Sequence, residues 1–166
     1  MNLIVAVSKN WGIGKQNNLL FNLPSDLKYF KQMTDGKVVC MGYNTLLSLP
    51  KSSPLKNRVN IVIAPSFVER DDCIVVHDLE GLKSALLAYN TDDVFVIGGG
   101  MFYKTMLPYC SKAYITEVDS APDAEIYFEN LDKLNNWHRQ VLSEDLTENG
   151  LTFRFTLYTN DSPLCF

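Results

Sequence analysis

The strongest constraint on this chain is the alternation of two hydrophobic periods along its length. Short β-branched or apolar runs recur at Leu3 to Val7, Val38 to Met41, Val59 to Ala64, Cys73 to Val76, Val94 to Ile97 and Ala113 to Val118. Several are apolar at nearly every position, the pattern of strands covered on both faces. Between them the spacing turns helical. Pro24 to Met33 opens with proline in a first-turn position and an acid close behind it, and Leu27, Phe30 and Met33 share one stripe. Asn44 to Leu49 is a short turn of helix stopped by Pro50, Leu79 to Tyr89 carries Leu79, Leu82, Leu86 and Tyr89 on one side, and Met101 to Leu107 ends before Pro108. Strands alternating with helices predict crossover units, hence an α/β fold with a mostly parallel twisted sheet and helices on both faces. The tail differs. Trp137 to Leu142 and Leu151 to Thr159, split by Glu148-Asn149-Gly150, read as a C-terminal antiparallel hairpin. At 166 residues the chain suits one domain over 1–166 and is short for two.

Composition narrows the function classes. Hydrophobic residues at 46% and charged residues at 20% describe a chain with a proper core rather than a disordered one. No apolar run approaches the roughly 18–20 residues that cross a bilayer. The opening Met1 to Val7 lacks a basic leader and reads as a strand, so a cytoplasmic protein without membrane partners is expected. The four cysteines, Cys40, Cys73, Cys110 and Cys165, and the two histidines, His77 and His138, are too scattered for a metal knuckle or a redox dithiol. No metal is expected. A net charge of −4 argues against a nucleic-acid binder. The charge is uneven, however. Residues 28 to 58 hold Lys28, Lys31, Lys37, Lys51, Lys56 and Arg58 against Asp35 alone, a segment of +5 in a remainder of −9. That segment is either a solvated basic face or a field that draws in a small anion.

Six of the nine glycines fall in three places: Gly12 and Gly14, Gly42, and Gly98-Gly99-Gly100. The triple glycine follows a buried-strand pattern and precedes a helix, the position where an open α/β sheet holds its ligand. Without a β-carbon, backbone amides approach a phosphate closely. The spacing is not that of the dinucleotide fingerprint, and a tight strand-to-helix turn explains the run equally well. Gly42-Tyr43-Asn44-Thr45 repeats the arrangement after Val38 to Met41. Two such junctions favour an extended anionic ligand that bridges them.

Together these pieces resemble dihydrofolate reductase, collinearly over nearly the whole chain. Ile13-Gly14-Lys15-Gln16-Asn17-Asn18-Leu19-Leu20-Phe21 is similar to the mobile loop that closes over the nicotinamide, and Asn22-Leu23-Pro24-Ser25-Asp26 through Phe30-Lys31 to the family's acid-bearing segment. Met41-Gly42 with Thr45, Pro54-Leu55-Lys56-Asn57-Arg58 with Asn60, Val96-Ile97-Gly98-Gly99-Gly100 with Tyr103, and Ala113-Tyr114-Ile115-Thr116 follow in the family's order. The resemblance implies NADPH-dependent reduction of dihydrofolate, with NADH as the alternative cofactor; a monomer is expected because no exposed heptad or large apolar stripe asks for a partner. It makes Asp26 the ionisable group of the pterin pocket, able to accept from a ring N–H and an exocyclic amine together. Asp26 would orient and polarise the ring; water would supply the proton. Phe21 joins it as the second catalytic candidate. Leu27, Phe30, Leu49 and Leu55 would pack on the rings, and Arg58 would grip the glutamyl carboxylate. Thr116 would support Asp26, while Ile4, Val5, Ala6, Ile97 and Tyr103 would line the pterin. The implied cofactor groove comprises Ala6, Ile13, Gly14, Asn18, Leu19, Gly42, Tyr43, Asn44, Thr45, Ala64, Pro65, Ser66, Ile97, Gly98, Gly99, Gly100, Met101, Phe102 and Tyr103, with the family's cis peptide at Gly98-Gly99.

The departures from the family cluster at the cofactor. Tyr43 and Met101 stand where bacterial relatives carry basic residues, and Ala64-Pro65-Ser66 replaces a serine-rich strand end. NADPH is still expected, with weaker binding or a relaxed preference. Leu20-Phe21 replaces a proline–tryptophan pair, keeping a ring and losing an indole N–H. Glu125, within Ala124 to Phe128, keeps the charge through which the loops couple. Two rivals stand beside this reading: a pyrimidine reductase of riboflavin synthesis, which lacks the Asp26–Phe30 signature, and a non-catalytic relative of the fold.

Overall fold

The computed structural model describes all residues, Met1–Phe166. In chain order the elements are β1 (Asn2–Val7), β2 (Gly12–Lys15), β3 (Asn18–Leu19), α1 (Pro24–Thr34), β4 (Val38–Gly42), α2 (Tyr43–Ser48), β5 (Val59–Ile63), β6 (Ile74–Val76) and α3 (Leu79–Leu86). Then come β7 (Val94–Val96), α4 (Gly100–Met106), β8 (Lys112–Val118), β9 (Ile126–Tyr127), β10 (Trp137–Val141), β11 (Leu146–Glu148) and β12 (Leu151–Asn160). The main sheet runs β10-β12-β8-β1-β7-β4-β5-β6. From β8 to β6 every pairing is parallel, and only the strands at the β12 end are antiparallel.

Helices cover both faces, as the alternation of periods requires. Tyr29, Phe30 and Met33 of α1 and Leu46 of α2 pack on the face formed by Ile4, Val39, Met41, Val62 and Phe95. Leu82 and Leu86 of α3 and Phe102, Tyr103 and Met106 of α4 pack on the other, against Leu3, Val7, Cys40, Ile61, Val96 and Ile115. Neighbouring residues of one strand thus serve opposite cores, which is the two-residue period of a strand. Continuous apolar runs were the right signal because both faces are buried.

The C-terminal hairpin is built differently from the expectation. Asn149 and Gly150, with φ of 54° and 76°, form the two-residue turn, and it joins β11 to β12 rather than β10 to β12. β10 pairs with the distal half of β12, from Val141 opposite Thr156 to Trp137 opposite Asn160. At the break Leu142 N–H donates to Phe155 O, and Phe155 N–H donates to Ser143 Oγ at 2.9 Å. A serine hydroxyl has replaced one carbonyl of the ladder, so the periodicity lapses there and one long strand became two. A second, three-stranded sheet in the order β3-β2-β9 also escaped the sequence reading. Its strands have two to four residues and carry no periodic run.

Candidate active site

Strand order reverses around β7. The chain moves from β1 to β4, continues outward to β6, then returns to place β7 between β1 and β4. Beyond the carboxyl ends of these strands lies a crevice, where open α/β sheets take their ligands. Its two ends are made of different materials.

At one end stands Asp26, in the first turn of α1. Thr116 of β8, paired in register with Ala6 of β1, is buried, and its hydroxyl donates to Asp26 Oδ1 at 2.6 Å. None of the ion pairs in the molecule includes Asp26. Burial pushes its carboxyl pKa upward, the Thr116 bond pulls it partly back, and the Glu148 carboxylate pushes it up again. One helical turn later Phe30 joins Ile4, Leu49, Leu55 and Ile97 in a single apolar cluster. The guanidinium carbon of Arg58 lies 6.0 Å from the centre of the Phe30 ring, and its buried Nε has no hydrogen-bond partner. An orphaned buried donor of that kind costs free energy unless an acceptor comes to it.

At the other end the two strand–glycine–helix junctions meet. Gly42 N–H donates to Gly98 O at 2.8 Å, and the Gly98–Gly99 peptide is cis. A β-carbon on Gly98 would sit 3.2 Å from Thr45 Oγ1, and one on Gly99 at 3.3 Å, so the Thr45 hydroxyl faces bare backbone. Gly98 also holds a φ of 134°, which side chains resist. The third glycine serves a different end. A β-carbon on Gly100 would overlap Ile126 of β9, so its bareness admits the small sheet rather than widening the groove. That sheet ties the loops together: Gln16 N–H donates to Glu125 Oε2 at 3.1 Å, and Glu125 N–H to Gly14 O at 3.0 Å.

A family model for dihydrofolate reductase matches residues 1–160. The chain belongs to the dihydrofolate reductase family. It is 36% identical to the dihydrofolate reductase of Schistosoma mansoni, with 95% of each chain covered. It is 34% identical to those of Bacillus subtilis, over 95% of this chain and 93% of the relative, and Haemophilus influenzae, over 86% and 84%.

Within this dihydrofolate reductase fold most of the residues singled out in the sequence converge, though not all through their side chains. Val5 packs in the core on the opposite face of β1, so only its backbone can reach the crevice. Phe102 is likewise buried in that core, and Ile13 with it. Leu27 stays half exposed on α1. The Tyr103 hydroxyl crosses to the Ile4 carbonyl at 2.8 Å, bracing the crevice wall from behind. Phe21 packs on the cluster of Leu23, Val118 and Phe153. At the glycine end Ala64 is buried, whereas Asn18, Leu19, Asn44, Pro65, Ser66 and Met101 are exposed, Met101 at 84%. Arg70 is forked on Asp72 at 2.8 and 2.6 Å. A cavity of about 150 Å³ opens between Asn17 and the Asn44, Leu47 and Ser48 side of α2. A cavity of about 490 Å³, lined by Val7, Trp11, Glu117 and Arg139, lies outside the crevice. Its charged lining is paired internally, with Arg139 forked on Glu117 at 2.7 and 2.6 Å. Ser25 and Glu148, in contact beside Asp26, were missed. They are 123 positions apart and no local pattern joins them.

Proposed function

We propose that this chain reduces 7,8-dihydrofolate to 5,6,7,8-tetrahydrofolate with NADPH as the reductant, and that it works as a cytoplasmic monomer without nucleic-acid or membrane partners. The absence of any helix long and apolar enough to cross a membrane and the net charge of −4 agree with that setting. One observation carries the reading. Asp26 is a half-buried acid with one neutral donor and no cation, set at the mouth of an apolar wall. Such a group is costly unless a ligand brings paired donors to it. A pterin does so, through a ring N–H and its adjacent amine.

Asp26 then holds the pterin and makes N5 easier to protonate, the proton arriving from water beside Phe21. Thr116 fixes the carboxylate in place. Ile4, Phe30, Leu49, Leu55 and Ile97 exclude water from the ring, with Leu27 closing over it from α1, and Ala6 and the Val5 backbone lie behind. Arg58 takes the carboxylate of the glutamyl tail on the donors it leaves unpaired. The glycine end fits a dinucleotide, because side chains on Gly98 or Gly99 would crowd Thr45 and fill the cradle. Gly42, Thr45, Gly98 and Gly99 would hold its phosphates with Tyr43, Asn44, Ser66 and Met101 around them, and Gly14, Asn18 and Leu19 would close above. When bound, the nicotinamide supplies a hydride to C6 of the pterin.

The test is the dihydrofolate-dependent loss of NADPH absorbance, repeated with NADH and with Asp26→Asn. Asp26→Asn should lower kcat/KM at pH 7 by about 100-fold or more, with partial recovery at low pH where substrate arrives protonated. An unchanged rate removes Asp26 from the mechanism. A lower KM for NADH than for NADPH overturns the cofactor assignment.

A further inference from the structure

The helix that carries Asp26 begins without a cap of its own. Its N-cap residue is Leu23, which offers no side-chain acceptor. The acceptor comes instead from the C-terminal hairpin. Glu148, the last residue of β11, takes the Ser25 backbone N–H on Oε1 at 2.9 Å and the Ser25 hydroxyl on Oε2 at 2.6 Å. Both oxygens of one carboxylate are thus spent on the residue immediately before Asp26. Next in the turn, Asn149 donates its side-chain N–H to Asn22 O at 3.4 Å. Behind these bonds the hairpin and the helix are packed together: Tyr29 stacks on Phe155 with centroids 4.0 Å apart, and Leu23 is buried with Phe153.

We propose that Glu148 is a positioning residue for Asp26: it caps the catalytic helix from the far end of the chain and holds a fixed negative charge beside the pterin acid. Two bonds from a rigid turn leave the first turn of α1 little freedom to swing. The Ser25 hydroxyl and N–H, in that order, hold the Glu148 pKa below the ordinary carboxylate value, so Glu148 remains an anion wherever the enzyme works. The ionisable groups that act with Asp26 are the phenols of Tyr29 on its own helix and Tyr103 on α4, and Glu148 on β11, while Thr116 of β8 supplies a neutral hydroxyl. Glu148 is the one permanent charge in this set. Its repulsion favours a proton on Asp26 or on a ring held against it, which keeps reduction going to higher pH.

The proposal rests on the dihydrofolate reductase reading for its consequence, though not for its first measurement. The Asp26 carboxyl is titrated by carbon NMR in the ligand-free protein, the signal being assigned by its loss in Asp26→Asn. Glu148→Gln, which removes the charge and keeps an amide oxygen for Ser25, should lower the Asp26 midpoint. The fall of kcat/KM with rising pH should begin earlier in the same variant, so that the loss at pH 8 exceeds the loss at pH 6 by about threefold. Glu148→Asp should restore part of both. An unmoved Asp26 midpoint overturns the proposal, as does a uniform loss of activity at every pH, which would mark a purely structural cap. If Glu148→Gln does not fold, Ser25→Ala decides: it leaves one bond and the charge, and should raise the Glu148 midpoint, an unmoved midpoint refuting the clamp. Should the wild-type protein ignore dihydrofolate, the titrations still judge the clamp while the activity assignment falls.

Discussion

The two ends of the crevice are built by opposite means. At the acid end the holding groups are mostly side chains. Asp26 is fixed by Thr116, its helix is tied down through Ser25 and Glu148, and Arg58 waits with an unpaired buried donor. At the glycine end almost everything is backbone. Gly42 and Gly98 bond to each other, Thr45 is the side chain that faces them, Met101 is bare to solvent, and Arg70 is committed to Asp72. A preorganised buried charge recognises one hydrogen-bonding pattern closely and tolerates little change. A cradle of amides recognises shape and negative charge, and its outer residues are free to vary. Of the departures in this sequence, Tyr43, Ala64 and Met101 lie at the second end, while Phe21, packed with Leu23, departs beside the first.

If the glycine end depends on so few side chains, removing one should be costly. Thr45→Val keeps the shape and deletes the hydroxyl that faces Gly98 and Gly99. It should raise the KM for NADPH by about 10-fold or more, the worth of one charge-assisted hydrogen bond, with the KM for dihydrofolate nearly unchanged. Equal changes in both constants would mean that the two ends are not separable. A smaller effect is expected from restoring a cation. Met101→Arg should lower the KM for NADPH by about two- to fivefold at low salt, lose that gain at high salt, and leave NADH almost untouched. A gain shared by both cofactors would show that the added charge acts on the common pyrophosphate and not on the extra phosphate.

The same contrast governs what was legible in the sequence. The parallel strands and the glycine junctions could be read because their signals are local: an apolar run, then Gly42 or Gly98, then a helix start within a few residues. Asp26 could be placed on its helix, and the resemblance paired it with Thr116. What stayed hidden was every contact made by a short or interrupted element. Gly100 looked like part of a phosphate cradle, yet Ile126 fills the space beside it, and nothing near either residue signals the other. Glu148 read as a turn residue, since its role depends on β12 crossing beside α1. Val5 and Phe102 lie in segments that border the crevice, but alternation along a strand and rotation around a helix turn their side chains into the core. Segment resemblance finds the neighbourhood; the direction of each side chain follows from packing.

The smallest predicted effect concerns stability, and it separates the two ends most cleanly. Burial raises the Asp26 pKa above its unfolded value. The folded protein therefore binds that proton more tightly than the unfolded chain does. Above the folded pKa the ionised acid makes the fold less stable than a neutral group would, and this penalty vanishes below the ordinary aspartate value of about 3.9. Asparagine keeps an oxygen for the Thr116 hydroxyl and carries no charge. Asp26→Asn should thus melt higher than the wild type at pH 8, by about 2–4 °C, with the two curves converging as the pH falls toward 4. Thr45→Val, which touches no buried charge, should show no such pH-dependent gap. Calorimetry of the three ligand-free proteins across this range decides the matter. An Asp26→Asn variant that melts lower at pH 8, or a gap indifferent to pH, would mean that the acid end is not held at a cost to the fold, and the contrast between a strained charge and a relaxed cradle would have to be abandoned.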